Sequence, residues 1–168
     1  MQCFCISPKS NPGSHFLLFI PIILGLIVLG CQTPNEAGMM DRDAEEKAIL
    51  DLLMTQQEDW NNGDIAPFMT GYVETESLRF ASGGAYRFGW QATIDRYYAT
   101  YPDRDAMGEL TFSELDVEIL SNEWATAFGR WNLQRGGDYE DIGGLFTLLL
   151  VRTDEGWLVK YDRTSQAS

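Results

Sequence analysis

The C-terminal third of the chain constrains the fold more than any other stretch. Three apolar or alternating runs follow one another over residues 124–134, 145–151 and 156–165, separated by turns rich in Gly and Asp. All six prolines lie at or before Pro102. Residues 103–168 therefore lack the one residue type that cannot donate to a central β-ladder. The pattern predicts a β-meander at the end of the chain.

A fourth long strand is predicted just before these three, over residues 109–120. Its apolar phase slips by one residue near Ser113 and Glu114. Such a slip indicates a β-bulge, which would bend the sheet. Further upstream, residues 77–81 and 85–88 flank a Ser-Gly-Gly turn and are predicted to form a β-hairpin.

Helices are predicted in the remainder of this domain. A first helix begins after Asp41 or Asp43, which can cap it, and ends near Asn61. A second covers residues 65–72, and a third covers residues 90–101 and stops before a proline. Residues 103–108 are predicted as a loop. Helices followed by a meander indicate an α+β fold.

The predicted helices are too few to cover both faces of the sheet. The strand over residues 145–151 is apolar on both faces, as a strand buried on two sides would be. The apolar part of the uncovered face then needs a partner. We therefore expect a homodimer that packs sheet to sheet.

The N-terminus has the pattern of a secretory signal. Residues 16–29 are apolar except for Pro21 and Gly25, and they follow a polar segment that contains Lys9. This run is shorter than the roughly 20 residues that a membrane-spanning helix needs. An uncleaved membrane anchor, or an ordinary signal peptide with an incidental cysteine, are the alternatives to a lipoprotein signal.

The end of this run, Val28-Leu29-Gly30-Cys31, resembles the lipobox of bacterial lipoproteins. The resemblance implies a signal peptide over residues 1–30, a tether over residues 31–42 with lipidated Cys31, and a domain over residues 43–168. Membrane attachment through the lipid would place the domain in the bacterial cell envelope. Because Gln32, and not Asp, follows the cysteine, the resemblance favours an outer membrane, facing the periplasm, in a host with two membranes.

The charge of the chain bears on its partners. One of the 12 basic residues and none of the 25 acidic ones lies in the first 30 positions, so residues 31–168 carry a net charge of −14. A domain this acidic is not expected to present the basic surface that binds nucleic acid. Anionic lipid headgroups would repel it unless it were covalently anchored.

Histidine and cysteine are confined to the N-terminus. The only histidine is His15, and the cysteines are Cys3, Cys5 and Cys31. Cleavage before Cys31 would leave no histidine and no free thiol, which excludes catalytic dyads and metal sites that need them. We expect no metal and no cofactor, and any acid–base chemistry would fall to Asp, Glu, Tyr, Lys or Arg.

Five segments of the domain form a pattern that is specific in its order and spacing: AILDLLMTQQEDWNNGDIAPFMTGY, LRFASGG, GWQATIDRYYATYP, GRW and GLFTLLLVRTDEGWLVKYDRTS. Through these segments the chain resembles the nuclear-transport-factor-2-like (NTF2-like) superfamily, in its SnoaL-like lineage of small bacterial domains of unassigned function. This resemblance covers about residues 44–165. It implies a cone-shaped fold in which three N-terminal helices cover one face of a curved, mostly antiparallel sheet, with a cavity between them.

The chain departs from its apparent relatives at the end of the last strand. Close relatives often carry a His-Asp-His-Thr-Ser motif there, whereas this chain has Tyr161-Asp162-Arg163-Thr164-Ser165. Strand alternation predicts that Tyr161 and Arg163 lie on the face of Trp157, and that Asp162 lies on the opposite face. Because both histidines of that motif are replaced here, no imidazole function at these positions is expected of this chain.

Ten side chains are candidates for the cavity lining. The large aromatic ones lie on predicted inward faces, where core packing is the alternative to a cavity wall. Tyr72, Tyr97 and Asp95 could form a polar cluster with Asp95 as a base, although an Asp on a helix is more often solvated. Arg130 and Arg163 would bind an anion, or else be solvated or paired with Asp162, Asp95 or Glu74. The complete set is Trp60, Tyr72, Trp90, Asp95, Tyr97, Arg130, Trp131, Trp157, Tyr161 and Arg163.

Three functions are compatible with these residues. The first is a lipid-anchored envelope domain whose cavity binds a small, mostly apolar or anionic molecule. The second is a metal-independent isomerase, dehydratase or cyclase that uses Asp and Tyr. The third is a dimeric protein-interaction module with a filled cavity. The sequence assigns no specific activity, and the fold it resembles hosts many.

Overall fold

A computed structural model of the chain describes residues 40–167, so the predicted signal peptide, Cys31 and most of the tether lie outside the described residues. The helices are α1 (Arg42–Asn61), α2 (Ile65–Thr70), α3 (Trp90–Thr100) and α4 (Arg104–Met107). The strands are β1 (Arg79–Ser82), β2 (Ala85–Phe88), β3 (Glu109–Ile119), β4 (Trp124–Gln134), β5 (Ile142–Thr153) and β6 (Gly156–Thr164). No helix in residues 40–167 combines the length and the apolar character needed to cross a bilayer.

The first helix is fixed at both ends by its own polar residues. The Asp41 carboxylate accepts from the Ala44 backbone N–H at 3.2 Å and so caps the helix, as the sequence predicts. At the other end, the Asn61 side chain donates to the Leu110 carbonyl at 2.9 Å and accepts from the Leu110 N–H at 2.7 Å. These two bonds tie the end of α1 to the start of β3.

The six strands form one curved, open sheet in the order β2-β1-β6-β5-β4-β3. All neighbouring pairs are antiparallel except β1 and β6, which are parallel. Helices pack on one face, so the predicted α+β fold class is confirmed. The predicted bulge is confirmed too, because the β3–β4 register shifts between Ser113 and Asp116, and Glu114 has a φ of 52°.

Two element boundaries differ from the sequence prediction. The predicted loop over residues 103–108 contains the short helix α4, because the Asp103 carboxylate accepts from the Ala106 N–H at 2.8 Å and caps it. The strand β5 begins at Ile142, three residues earlier than predicted. Gly143 and Gly144, which precede the predicted strand, pair with Asn132 and Trp131 of β4.

A second bulge, in β6, was not predicted. Leu149 of β5 pairs with Tyr161, but the next residue, Leu150, pairs with Val159, so Lys160 is an extra residue. The bulge reverses the phase of the strand beyond it. The predicted alternation was therefore wrong here, because Asp162 lies on the same face as Trp157, and Arg163 lies on the opposite one.

The helix-covered inner face of the sheet holds the core. On β4 this face carries Ala125, Ala127 and Gly129, whose small size lets the neighbouring side chains approach closely. A Cβ added at Gly129 would lie 2.5 Å from the Phe146 ring and 2.7 Å from the Leu115 side chain. The tight packing of the inner face thus depends on a missing side chain.

Candidate functional site

A cavity of about 320 Å³ lies between the inner face of the sheet and the helices. Aromatic side chains are the largest group in its wall: Trp60, Phe68, Tyr72, Phe80, Tyr97, Tyr101, Phe112, Trp131 and Phe146. Fewer polar side chains join them: Gln56, Ser82, Arg96, Thr100, Arg135, Asp162, Thr164 and Gln166. Thr100 and Gln166 are exposed to solvent, whereas Leu53 and Gln56 are buried, so the cavity has a mouth and an interior.

The interior wall is a set of rings in edge-to-face contact. Trp60 lies 5.3 Å from Phe68, 5.9 Å from Tyr97 and 4.8 Å from Tyr101, measured between ring centroids. The Trp60 indole donates to the Met107 carbonyl at 3.2 Å, so its one polar atom has a partner. Such contacts add to the stabilisation from burial and hold the wall in one arrangement.

Asp162 is the buried charged group of this wall, with 4% of its surface exposed. The Tyr72 hydroxyl donates to its Oδ2 at 2.8 Å, and the Thr164 hydroxyl donates to its Oδ1 at 2.8 Å. Within residues 40–167 no basic side chain lies at ion-pairing distance from it. Burial raises the pKa of Asp162 to about 6, opposed by the bonds from Thr164 and Tyr72 and by the charge of Arg96.

The neighbouring phenols are held in their protonated forms. Burial, and then the charge of Asp162, raise the pKa of Tyr72 well above its ordinary value and also raise that of Tyr97. Both hydroxyls therefore keep their protons at neutral pH. The cavity combines a carboxyl that titrates near neutrality with phenols that remain donors.

Two arginines lie nearer the mouth and are half-buried. The Arg96 guanidinium of α3 lies 5.3 Å from the centroid of the Phe80 ring. The Arg135 side chain, just after β4, donates from Nε to the Glu140 carbonyl at 2.6 Å. Burial raises the pKa of Tyr101, and the positive charges of Arg96 and Arg135 both oppose that rise. The Tyr101 hydroxyl therefore lies within the electrostatic reach of both arginines.

The C-terminal segment borders the mouth. The Trp131 indole donates to the Ser165 carbonyl at 3.1 Å, and the Ser165 and Ala167 N–H groups donate to the Leu145 and Gly143 carbonyls, both at 2.8 Å. An added Cβ at Gly144 would collide with the Ser165 carbonyl oxygen. Glycine at this position lets the segment close against β5.

The structure brings four of the ten sequence-predicted site residues together at the cavity. They are Trp60, Tyr72, Tyr97 and Trp131. Tyr72 and Tyr97 do meet a carboxyl group, as the sequence suggested, but that group belongs to Asp162. Asp95 is exposed and accepts from Gln91 at 2.8 Å on the solvent side of α3. Its proposed role as the cavity base is therefore wrong.

The other predicted site residues lie elsewhere. The Trp90 and Trp157 indoles donate to the Met69 carbonyl and to the Glu45 carboxylate, at 2.9 and 2.8 Å, away from the cavity. Arg130 is exposed and pairs with Glu114 at 3.2 Å, not with the three carboxylates that the sequence suggested. Tyr161 and Arg163 border a separate groove beside the β1–β2 hairpin, because the β6 bulge turns them away from the cavity.

Sequence reasoning missed Asp162 and Arg96 as site residues. The helical period did offer a signal for Arg96, since it adjoins Tyr97 and precedes Thr100 by one turn. The only signal near Asp162 was that its neighbours Tyr161 and Arg163 depart from the apparent family motif. Among the described residues 40–167, no group of three or more His, Cys, Asp or Glu side chains is arranged to hold a metal ion.

Comparison with solved structures assigns this cavity-bearing α+β domain to a class. An NTF2-like protein of unknown function from Shewanella oneidensis MR-1 is 38% identical, with a TM-score of 0.66, over 71% of this chain and 97% of that one. No protein-family model matches the chain, and no curated protein matches it. The identity and coverage of the Shewanella protein show that this chain belongs to the NTF2-like superfamily.

More distant structures share the fold alone. A ketosteroid isomerase-like protein from Erwinia carotovora atroseptica SCRI1043 is 18% identical, with a TM-score of 0.60, over 74% of this chain and 97% of that one. An NTF2-like protein with a cystatin-like fold from Novosphingobium aromaticivorans is 17% identical, with a TM-score of 0.58, over 74% and 82% of the two chains. Both match the helix-covered curved sheet described above.

Proposed function

We propose that this domain binds a small, mostly apolar molecule in the cavity between helices and sheet. The observation that supports this most directly is an aromatic-walled space of about 320 Å³ with a mouth. Ligand pockets are usually about 300–1,000 Å³, mostly apolar, with a few polar groups that fix orientation. Asp162 and Tyr72 are suited to that orienting role.

Nuclear magnetic resonance with indole as a neutral probe tests this proposal. We expect indole to shift the Gln56 side-chain amide and Trp60 indole signals, since both side chains line the cavity. A Thr100→Trp substitution at the mouth should weaken the shifts at least tenfold. A matched Tyr98→Trp substitution, on the solvent side of the same helix, should leave them unchanged. Equal shifts in all three proteins would contradict the proposal.

We propose further that the domain is anchored in the bacterial cell envelope, at an outer membrane where the host has one. The lipobox-like segment that ends at Cys31 supports this. The tether after Cys31 would let the domain reach ligands near the membrane surface. Detergent partitioning of the full chain and of a Cys31→Ser variant tests the anchor. Membrane partitioning that survives the substitution would contradict it.

A second candidate function, proton-transfer catalysis, is favoured by the environment of Asp162. A buried carboxyl with a pKa of about 6 is suited to act as a base near neutral pH, and the Tyr97 hydroxyl, which also lines the cavity and keeps its proton, can donate to a developing oxyanion. Isomerisation of 3-cyclohexenone to its conjugated form, followed by absorbance, tests this role. We expect Asp162→Asn to lower any rate at least 100-fold. Equal rates would contradict catalysis by Asp162.

A third candidate function, protein interaction through a homodimer, is favoured by the outer face of the sheet. Leu145 and Phe128 are 51% and 42% exposed there, on neighbouring strands. The Thr126 hydroxyl is buried without a hydrogen-bond partner among residues 40–167. A second copy of the chain, packed on this face, would cover the apolar side chains.

A further inference from the structure

Among residues 40–167, Arg96 is a cavity-lining cation without a paired anion. It is half-buried, its guanidinium lies over the Phe80 ring, and within residues 40–167 no carboxylate lies at ion-pairing distance. Arg130 and Arg152, by contrast, both pair with a glutamate outside the cavity. In a domain with so many acidic residues, a half-buried arginine without a carboxylate partner is unexpected, because desolvated charges are normally paired.

Asp162 does not supply the missing charge. The charge of Arg96 acts on Asp162 across the cavity, but the two side chains form no ion pair. The Tyr72 and Thr164 hydroxyls occupy one carboxylate oxygen each. Arg96 is therefore left to bind a ligand, while Asp162 is already bound within the wall.

Arg135 also lines the cavity and acts on Tyr101, but it is less available to a ligand. Its Nε already donates to a backbone carbonyl, and its own N–H donates to the Asp141 carboxylate at 2.8 Å. Asp105 also lies beside it, against Gly136. Because the Nε of Arg135 is already bound, Arg96 is the principal cation that faces the cavity and Arg135 a supporting one.

We propose that the occupant is a small apolar carboxylic acid, whose carboxylate binds Arg96 beside the Tyr101 hydroxyl while its hydrocarbon part packs on the aromatic wall. This inference rests on the proposed small-molecule function. The planar guanidinium fork matches a carboxylate, and such charge-assisted bonds are about twice as strong as neutral ones. A phosphate ester is less suited, because its second charge would need more donors than Arg96 and Tyr101 supply.

The test compares 4-phenylbutanoate with 4-phenylbutan-1-ol, which carries a neutral hydroxyl group in place of the carboxylate. Affinities are measured by calorimetry at pH 7 on the wild-type protein and on the Arg96→Gln and Arg163→Gln variants, with binding in the cavity verified from the Trp60 indole signal. Arg163 is the matched control, since it is an exposed arginine on the outer face of β6. The melting temperatures of the variants establish that both are folded.

We expect the wild type and Arg163→Gln to bind the acid at least tenfold more tightly than the alcohol. The Arg96→Gln variant should bind the acid at least tenfold more weakly than the wild type does, and should bind the alcohol with unchanged affinity. Arg96→Lys should restore part of the affinity for the acid. If Arg96→Gln binds both probes as the wild type does, the carboxylic-acid inference is overturned and the small-molecule site stands. If neither probe perturbs the Trp60 signal in the wild type, the small-molecule site itself is contradicted.

Discussion

On the inner face of β4, Ala125, Ala127 and Gly129 are small and buried, whereas the outer face of the same strand carries Trp124, Phe128 and Arg130, which are exposed. The two sets alternate along one strand, so they share the same backbone geometry. What differs is the neighbouring layer. The inner residues fit a packed helical layer and a cavity, and the outer ones leave apolar surface uncovered.

The charges on the two faces differ in the same way. Asp162, on the inner face, has hydroxyl partners but no cation at ion-pairing distance among the described residues, and its pKa is raised. Arg130, on the outer face, pairs with Glu114 while both remain exposed, a geometry that stabilises a protein by at most about 1 kcal/mol. A charge in this domain therefore affects stability according to the face on which it lies.

Placing a valine on each face of β4 tests the difference in packing between the faces. The substitution on the inner face has the largest expected effect on the free energy of unfolding. Gly129→Val should lower the free energy of unfolding by about 3 kcal/mol, because even a Cβ there meets Phe146 and Leu115. Arg130→Val, one residue away on the outer face, should change it by less than about 1 kcal/mol. Urea denaturation measures both. Similar losses for the two variants would contradict the assignment of faces.

The pH dependence of stability tests the electrostatic side. In the native state the pKa of Asp162 is about 6, against 3.8 for an unperturbed carboxyl. Between these values the native protein holds a proton that the unfolded chain has released, so this group's contribution to stability falls as pH rises. At 1.36 kcal/mol per pKa unit the loss is about 2 to 3 kcal/mol, complete above pH 6.

The Asp162→Asn variant isolates this contribution from that of the other acidic residues. The stability of Asp162→Asn minus that of the wild type should increase by about 2 to 3 kcal/mol as pH rises from about 3.5 to 7. Urea denaturation at a series of pH values measures the difference. Arg163→Gln, next in sequence but on the outer face, should show no such change. A flat difference for Asp162→Asn would mean that the carboxyl is not desolvated.

The two β-bulges explain which part of this site could be predicted from sequence. In β3 the bulge separates apolar residues, so the slip from Phe112 to Leu115 is visible in the pattern. In β6 the bulge falls at Lys160, and the residues beyond it are polar or amphipathic. The sequence there contains no apolar–polar alternation in which a shift of one residue could be seen. The fold was therefore predictable, whereas the burial of Asp162 was not.

The helical site residues show a similar limit. The sequence analysis named Tyr97 as a cavity candidate, and the structure buries it in the cavity wall. Helical periodicity does not resolve which of its polar neighbours lies at the edge of the buried face, and the sequence prediction chose Asp95 where the structure has Arg96. That choice depends on the space beside Phe80, which exists only once α3 has packed on β1. Tertiary contacts, not local sequence, decide the polarity of the cavity mouth.

Removing the Tyr72 hydroxyl should have an intermediate effect. Tyr72→Phe deletes the donor to Asp162 Oδ2, so stability at pH 7 should fall by about 1 to 2 kcal/mol. Because that bond lowers the pKa of Asp162, its loss should raise the pKa further. Carboxyl carbon chemical shifts measured against pH follow this pKa. An unchanged pKa would contradict the bond, and Tyr98→Phe, which removes an exposed hydroxyl, is the control.

The smallest effect on the fold is expected on the outer face, where association should change instead. Leu145→Lys should alter the free energy of unfolding of a monomer by less than about 0.5 kcal/mol, since the side chain is half exposed. It should weaken the proposed homodimer at least tenfold by placing charges opposite each other in the interface. Sedimentation velocity over a concentration series measures this, with Met54→Lys on the solvent face of α1 as control. A wild-type protein that stays monomeric at every concentration would contradict the proposed homodimer. The difference between the two faces of the sheet would then reflect only which face the helices cover.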